Sequence, residues 1–233
     1  MDKIIYNFNV NGFNIKAEYD KRDIDGIFLP LTERLVSMRK DKGRRIIAYL
    51  AGPCGAGKTT AALLLEALSP GNIQAAGIDG FHYSREYLAS NYIDKNGSKI
   101  LMRDIKGSAE TYDFNKLRDK ISELKHGDIY WPSYDRIIHD VIADSVYINK
   151  EIIIIEGNWL LLDEKYWREL MQFCDYSIFI SAKRETLIKR LTERKIMGGL
   201  SAGEAEKFVM QSDALNIERI LTRRLSCDLE INI

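Results

Sequence analysis

Between Arg45 and Leu68 the chain passes from an apolar stretch through a glycine-rich turn into strong helix formers, and few folds admit that succession. Ile46-Ile47-Ala48-Tyr49-Leu50-Ala51 has strand length, and Gly52-Pro53-Cys54-Gly55-Ala56-Gly57-Lys58-Thr59 follows at once. Thr60 to Leu68 then favours helix and stops at Ser69-Pro70-Gly71. The turn matches G-x-x-x-x-G-K-[ST] in the strand–turn–helix context that gives this pattern its meaning. Glycines let backbone N–H groups converge on phosphate oxygens, and the helix start adds its positive dipole end. The expected nucleotide-binding residues are therefore Gly52, Pro53, Cys54, Gly55, Ala56, Gly57, Lys58, Thr59 and Thr60. Lys58 is expected to reach the outer phosphates and to act in catalysis, and the Thr59 hydroxyl to ligate Mg²⁺.

Composition narrows the class. The 233 residues fit one large α/β domain, or one with appendages, and 45% of them are hydrophobic, enough for a substantial core. Lys+Arg and Asp+Glu both number 34, and this zero net charge argues against nucleic acid as the main partner. Cys54, Cys174 and Cys227 are far apart and lack metal-ligand spacing. The N-terminus does not read as a signal peptide and no apolar run reaches membrane-spanning length, so a cytoplasmic setting is expected.

Two alternating segments, 4–10 and 13–19, flank Asn11-Gly12 and predict a hairpin. Asp23 to Lys42 reads as a helix with Pro30 in its first turn. Residues 1–42 thus read as an appendage to a nucleotide-binding domain over 43–233. A second strand, 73–78, ends in Asp79-Gly80-Phe81-His82, placing Asp79 beyond a strand's carboxyl end, where ligands of open α/β sheets bind. Residues 91–107 read as an irregular charged excursion bordering the substrate. Asp113 is a good N-cap for a helix over 114–125. Ile152-Ile153-Ile154-Ile155 predicts a strand buried on both faces, and Glu156 follows at its carboxyl end, where a Mg²⁺ ligand is expected. A helix is expected within 160–174, and strands at 176–180 and 229–231. The basic helix 183–197 carries Arg190 and Arg194 on one face and reads as a lid presenting both to the transferring group. Ser201-Ala202-Gly203-Glu204 opens another helix with a capping-box pattern.

Four segments carry a family resemblance: Gly52 to Thr59, Asp79-Gly80-Phe81, Lys106-Gly107-Ser108-Ala109-Glu110-Thr111-Tyr112-Asp113, and Pro132-x-Tyr134-Asp135-x-x-x-His139. From Arg45 onward the chain resembles the P-loop kinases that include uridine kinase, bacterial-type pantothenate kinase and phosphoribulokinase. It is most similar to a uridine-kinase-like branch described as nucleoside-triphosphate hydrolases or sugar-transport kinases. The resemblance implies an α/β P-loop fold with a five-stranded parallel sheet of order 2-3-1-4-5, flanked by helices. It implies Asp79 as catalytic base, with Asp79, Phe81, Arg103, Lys106, Tyr134 and His139 at the substrate. The family run has proline where this chain has Ala109, and arginine where it has Ile105; Arg103 stands in two positions early. ATP with Mg²⁺ is the implied cofactor, and the γ-phosphoryl goes to a hydroxyl of a small metabolite. A nucleoside such as uridine is the first expected acceptor, with pantothenate or a sugar as alternatives. An ATP-hydrolysing switch is the competing reading, and homodimerisation is left open. A signalling GTPase is disfavoured, because Asn149-Lys150-Glu151-Ile152 lacks the aspartate of N-K-x-D.

Overall fold

Strands β3 (Ile46–Ala51) and β9 (Ile152–Gly157) are buried along their whole length, and the rest of the molecule is built outward from them. Side chains of a strand alternate between faces, so a strand covered on both faces must be apolar at every position. Ile46, Ala48, Leu50, Ile152 and Ile154 enter one core, while Ile47, Tyr49, Ala51, Ile153 and Ile155 enter the other. The computed structural model describes all residues except Met1, Asn11 and Asn96. Its central sheet has five parallel strands in the order β11-β10-β3-β9-β4, the partners being β4 (Ile73–Gly77), β10 (Tyr176–Ser181) and β11 (Leu229–Asn232). Counted along the chain from β3, this is the expected order 2-3-1-4-5.

Strands β1 (Lys3–Val10) and β2 (Phe13–Asp20) pair antiparallel, with Val10 opposite Phe13. Asn11 of the expected Asn11-Gly12 turn lies outside the described residues. Tyr6, Phe8 and Tyr19 pack on the first core, giving this hairpin the support that two strands alone lack. A continuous helical stretch follows as α1 (Lys21–Asp23), a π-turn (Ile24–Phe28) and α2 (Leu29–Lys42). The Leu29 N–H bonds Ile24 O, five residues back, and Pro30 has no N–H to restore the ordinary ladder. Ile24, Phe28, Leu31 and Leu35 share the core of β3 and β9.

Helix α3 (Lys58–Leu68) follows β3, and α4 (Arg85–Ser90) and α5 (Phe114–Leu124) follow β4; the Asp113 carboxylate caps α5 at Lys116 N. The stretch 91–107 is not irregular as expected. It forms a second hairpin, β5 (Tyr92–Lys95) with β6 (Ser98–Leu101), and then a 3₁₀ turn over Met102–Ile105. Its strands are short and mostly exposed, so no buried face imposed an apolar alternation. A third hairpin joins β7 (Ile129–Asp135) to β8 (Asp140–Ile148), with a register shift between Trp131 and Ser133 around Pro132. The helix expected in 160–174 is a 3₁₀ segment over Trp167–Phe173. Between β10 and β11 lie α6 (Arg184–Met197), α7 (Ala202–Phe208) with its capping box at Ser201, and α8 (Ala214–Thr222). Among the described residues no helix is long and apolar enough to cross a membrane.

Candidate active site

The turn between β3 and α3 closes tightly around its own backbone. Gly52 has φ of +156°, and a Cβ there would stand 2.1 Å from Ile180 O of β10, so only glycine fits. Lys58 is 7% exposed, and its ammonium donates to Pro53 O at 2.9 Å. A buried cation with a neutral partner, at the N-terminus of an eleven-residue helix, suits an anion such as a phosphate chain. Thr59 Oγ1 donates to Glu156 Oε1 at 2.9 Å, joining the helix start to the end of β9. Burial pushes the Glu156 carboxyl up to about 7, only partly opposed by Lys58. A divalent cation at this pair would restore the charged form. Among the described residues no group of three His, Cys, Asp or Glu side chains is placed to hold a metal. Thr60 donates to Gly57 O at 2.9 Å, and its hydroxyl meets that of Tyr19. Cys54 accepts from Asn158 Nδ2 at 3.0 Å, and burial raises its thiol, so it is no reactive thiolate.

Asp79 lies in the 3₁₀ turn Ile78–Phe81 that follows β4. Tyr112 donates its hydroxyl to Asp79 Oδ1 at 3.1 Å. Burial acts to raise the Asp79 pKa, but His82, Arg136, Lys58 and the Tyr112 bond outweigh it and hold the carboxyl low. An ionised carboxylate is the form a proton acceptor needs. Two backbone bonds, Tyr83 N to Thr111 O and Asp113 N to Phe81 O, stitch this turn to the Lys106–Asp113 run. A Cβ on Gly80 would stand 2.3 Å from Pro132 O, so β7 presses backbone to backbone on the same turn. Trp131 donates its indole N–H to Gly77 O at 2.8 Å and is 1% exposed, a core position.

Lys106 Nζ donates to the Tyr134 hydroxyl at 2.7 Å and to His139 O at 3.4 Å, and lies 4.4 Å from the centre of the Tyr134 ring. Burial, then Asp79, pushes the Tyr134 phenol up to about 12, so it stays protonated. The His139 imidazole is exposed, and its backbone is the part that Lys106 touches. Phe81 is 1% exposed and packs edge-on against Trp131 with ring centres 4.7 Å apart, a core position. Arg103 is exposed beside Asp104 at 3.6 Å. Arg190 donates to Gly55 O at 3.2 Å, and exposed Arg194 lies close enough to Cys54 and Arg136 to shift their pKa values.

Three residues of this centre were absent from the sequence expectations or undecided there. Tyr112 holds Asp79. His82 stacks on Tyr112 at 3.8 Å, and its Nδ1 donates to Thr111 O at 3.1 Å; burial lowers its pKa, opposed by the charge of Asp79. Arg136, one residue past β7, lies within the fields of Asp79, Glu156 and Arg194. The signal for Tyr112 and Arg136 was their place inside two of the motifs, although neither is a motif position.

A phosphate loop on a parallel sheet of order 2-3-1-4-5, with carboxylates ending the neighbouring strands, defines the P-loop nucleotide-binding class. A family model described as AAA domain matches residues 49–210. YggC of Escherichia coli (strain K12) is 36% identical over 230 residues, covering 96% of this chain and 93% of that protein. A protein provisionally named a uridine kinase in Schizosaccharomyces pombe is 26% identical over 211 residues, covering 85% and 87%. Bacterial pantothenate kinases are further relatives. Among solved structures, a protein from Silicibacter sp. TM1040, provisionally assigned as a fructose transport system kinase, superposes with a TM-score of 0.78. It is 29% identical, over 87% of this chain and 98% of that one. The chain belongs to this AAA-domain family, in its group of P-loop kinases related to uridine and pantothenate kinases.

Proposed function

We propose that the chain transfers the γ-phosphoryl of ATP, with Mg²⁺, to a hydroxyl of a small cytoplasmic metabolite. The observation that carries this reading is the Asp79 carboxylate, held by Tyr112 at 3.1 Å beyond the end of β4, beside the strand that carries Glu156 opposite Gly77 in its last pairing with β4. Bound MgATP supplies the electrophilic phosphorus and the cation that neutralises the leaving diphosphate. Asp79 accepts the acceptor hydroxyl's proton as that oxygen bonds to phosphorus and the bond to ADP breaks. Lys58 and the backbone N–H groups of the loop hold the phosphates, and Thr59 and Glu156 hold the metal. Arg190 and Arg194 approach the transferring group from α6.

Relatives named for uridine, pantothenate and fructose transport supply the acceptors to try. The test is a panel of nucleosides, pantothenate and sugars with MgATP, scored by mass spectrometry of the product. At least one compound is expected to gain a phosphoryl group, and Asp79→Asn to suppress its formation. Steady ATP hydrolysis indifferent to every member, beside no product, would replace the kinase with an ATP-hydrolysing switch.

A further inference from the structure

Among the described residues, two cations in the segments packed on the Asp79 turn form no ion pair. Lys106 meets a phenol, a ring face and a backbone carbonyl. Arg136 is half-buried, and among the described residues neither side chain forms a salt bridge. The acidic residues nearest them in the hairpin are engaged by backbone. Asp135 Oδ1 accepts from Ile137 N at 2.7 Å and Ile138 N at 3.2 Å. Asp140 Oδ1 accepts from Val141 N at 2.8 Å and Arg85 N at 3.1 Å.

Lys58 and Arg190 differ from this pair in placement, since both touch the phosphate loop itself, at Pro53 O and Gly55 O. Lys106 and Arg136 belong instead to the segments that grip the Asp79 turn, the Lys106–Asp113 run and the β7–β8 hairpin. Burial lowers the pKa of both, and it outweighs the opposing fields of Asp140 and Asp79 at Lys106 and of Asp79 and Glu156 at Arg136, so without an ion pair neither cation recovers what desolvation costs it. Half-buried cations converging on an ionised base call for an anion from outside the chain.

We propose that the hydroxyl acceptor carries a carboxylate or phosphate, and that Lys106 and Arg136 hold this group while Asp79 meets the hydroxyl. The inference rests on the kinase reading above and narrows its substrate class. A hydroxy acid or sugar phosphate pairs with both cations, and a guanidinium can grip either group through two parallel bonds. An uncharged nucleoside or sugar leaves both cations desolvated and unpaired.

Matched pairs test it: glycerate against glycerol, pantothenate against panthenol, and fructose 6-phosphate against fructose, with uridine as a further neutral compound. Each is offered with MgATP to the full chain, and product formation and melting temperature with an ATP analogue are read. At least one anionic member is expected to be phosphorylated and to stabilise the protein, and its neutral counterpart to do neither. The carboxylate and phosphate pairs separate the two sources of charge. Lys106→Met and Arg136→Met should each raise the KM of that acceptor about 10- to 100-fold with ATP affinity kept, and Arg136→Lys should recover part of the loss. The proposal is overturned if a neutral member turns over as well as its anionic counterpart. It is likewise overturned if the variants weaken ATP binding as much as acceptor binding. A panel in which no member gains a phosphoryl group overturns the kinase reading, and this inference with it.

Discussion

Asp79 and Glu156 share one buried centre but titrate in opposite directions. Glu156 is dominated by burial, whereas Asp79 has His82, Arg136, Lys58 and the Tyr112 hydroxyl around it. The difference fits the two tasks proposed for them, a metal-holding carboxylate and one that takes a proton. Asp79→Asn keeps shape and removes the base, so phosphoryl transfer should fall about 10²-fold or more with ATP affinity kept, measured by product assay and calorimetry. Near-normal transfer would reduce Asp79 to a turn former. Lys58→Ala should weaken MgATP binding about 10- to 100-fold through loss of a charged donor, with circular dichroism unchanged. The phosphate loop was legible because all its parts are neighbours in sequence. Tyr112 and Arg136 were not, since their meaning comes from Asp79, which only the folded chain brings beside them.

Among the elements, the ends of β3 and β10 are tied by one carboxylate. Asp175, its side chain 5% exposed, accepts from Arg44 Nη2 at 2.6 Å, Lys42 Nζ at 2.9 Å and Ile47 N at 3.0 Å. Burial would raise its pKa, but these donors outweigh it and hold the carboxyl down at about 2. Its folded pKa is thus below the unfolded value near 3.8, so its stabilisation is present above that pH and lost as pH falls toward 2. Asp175→Asn should cost about 2 kcal/mol at neutral pH and flatten the acid limb of the stability profile, read by urea unfolding. An unchanged acid limb would mean that other carboxylates set it. Helix α6 gives a second test: Arg194→Glu should depress kcat more than ATP affinity, whereas Lys189→Glu should change both little. Equal effects would indicate a general field in place of a lid. The parallel strands were readable because burial on both faces forces continuous apolar runs. The β5–β6 and β7–β8 hairpins were not, because their exposed faces accept polar residues and Pro132 interrupts the alternation of β7.

At the scale of the molecule, the first forty residues lie against the nucleotide-binding sheet. Tyr6, Phe8 and Tyr19 cover the first core, and the Tyr19 hydroxyl reaches Thr60 at the start of α3. Removing residues 1–20 should therefore cost roughly 3 kcal/mol from lost apolar burial and lower the melting temperature by about 6–12 °C. A truncated chain that melts like the parent would mark the hairpin as independent of the core. The close approach of Gly80 to Pro132 O reaches across the same molecule. It acts as a machinist's stop. With no methyl group to shim the joint, the jaw that carries Tyr134 and Arg136 can seat at one depth only, so the gap to Asp79 is gauged by the main chain. Side chains of the jaw can then be exchanged for another workpiece without resetting the tool.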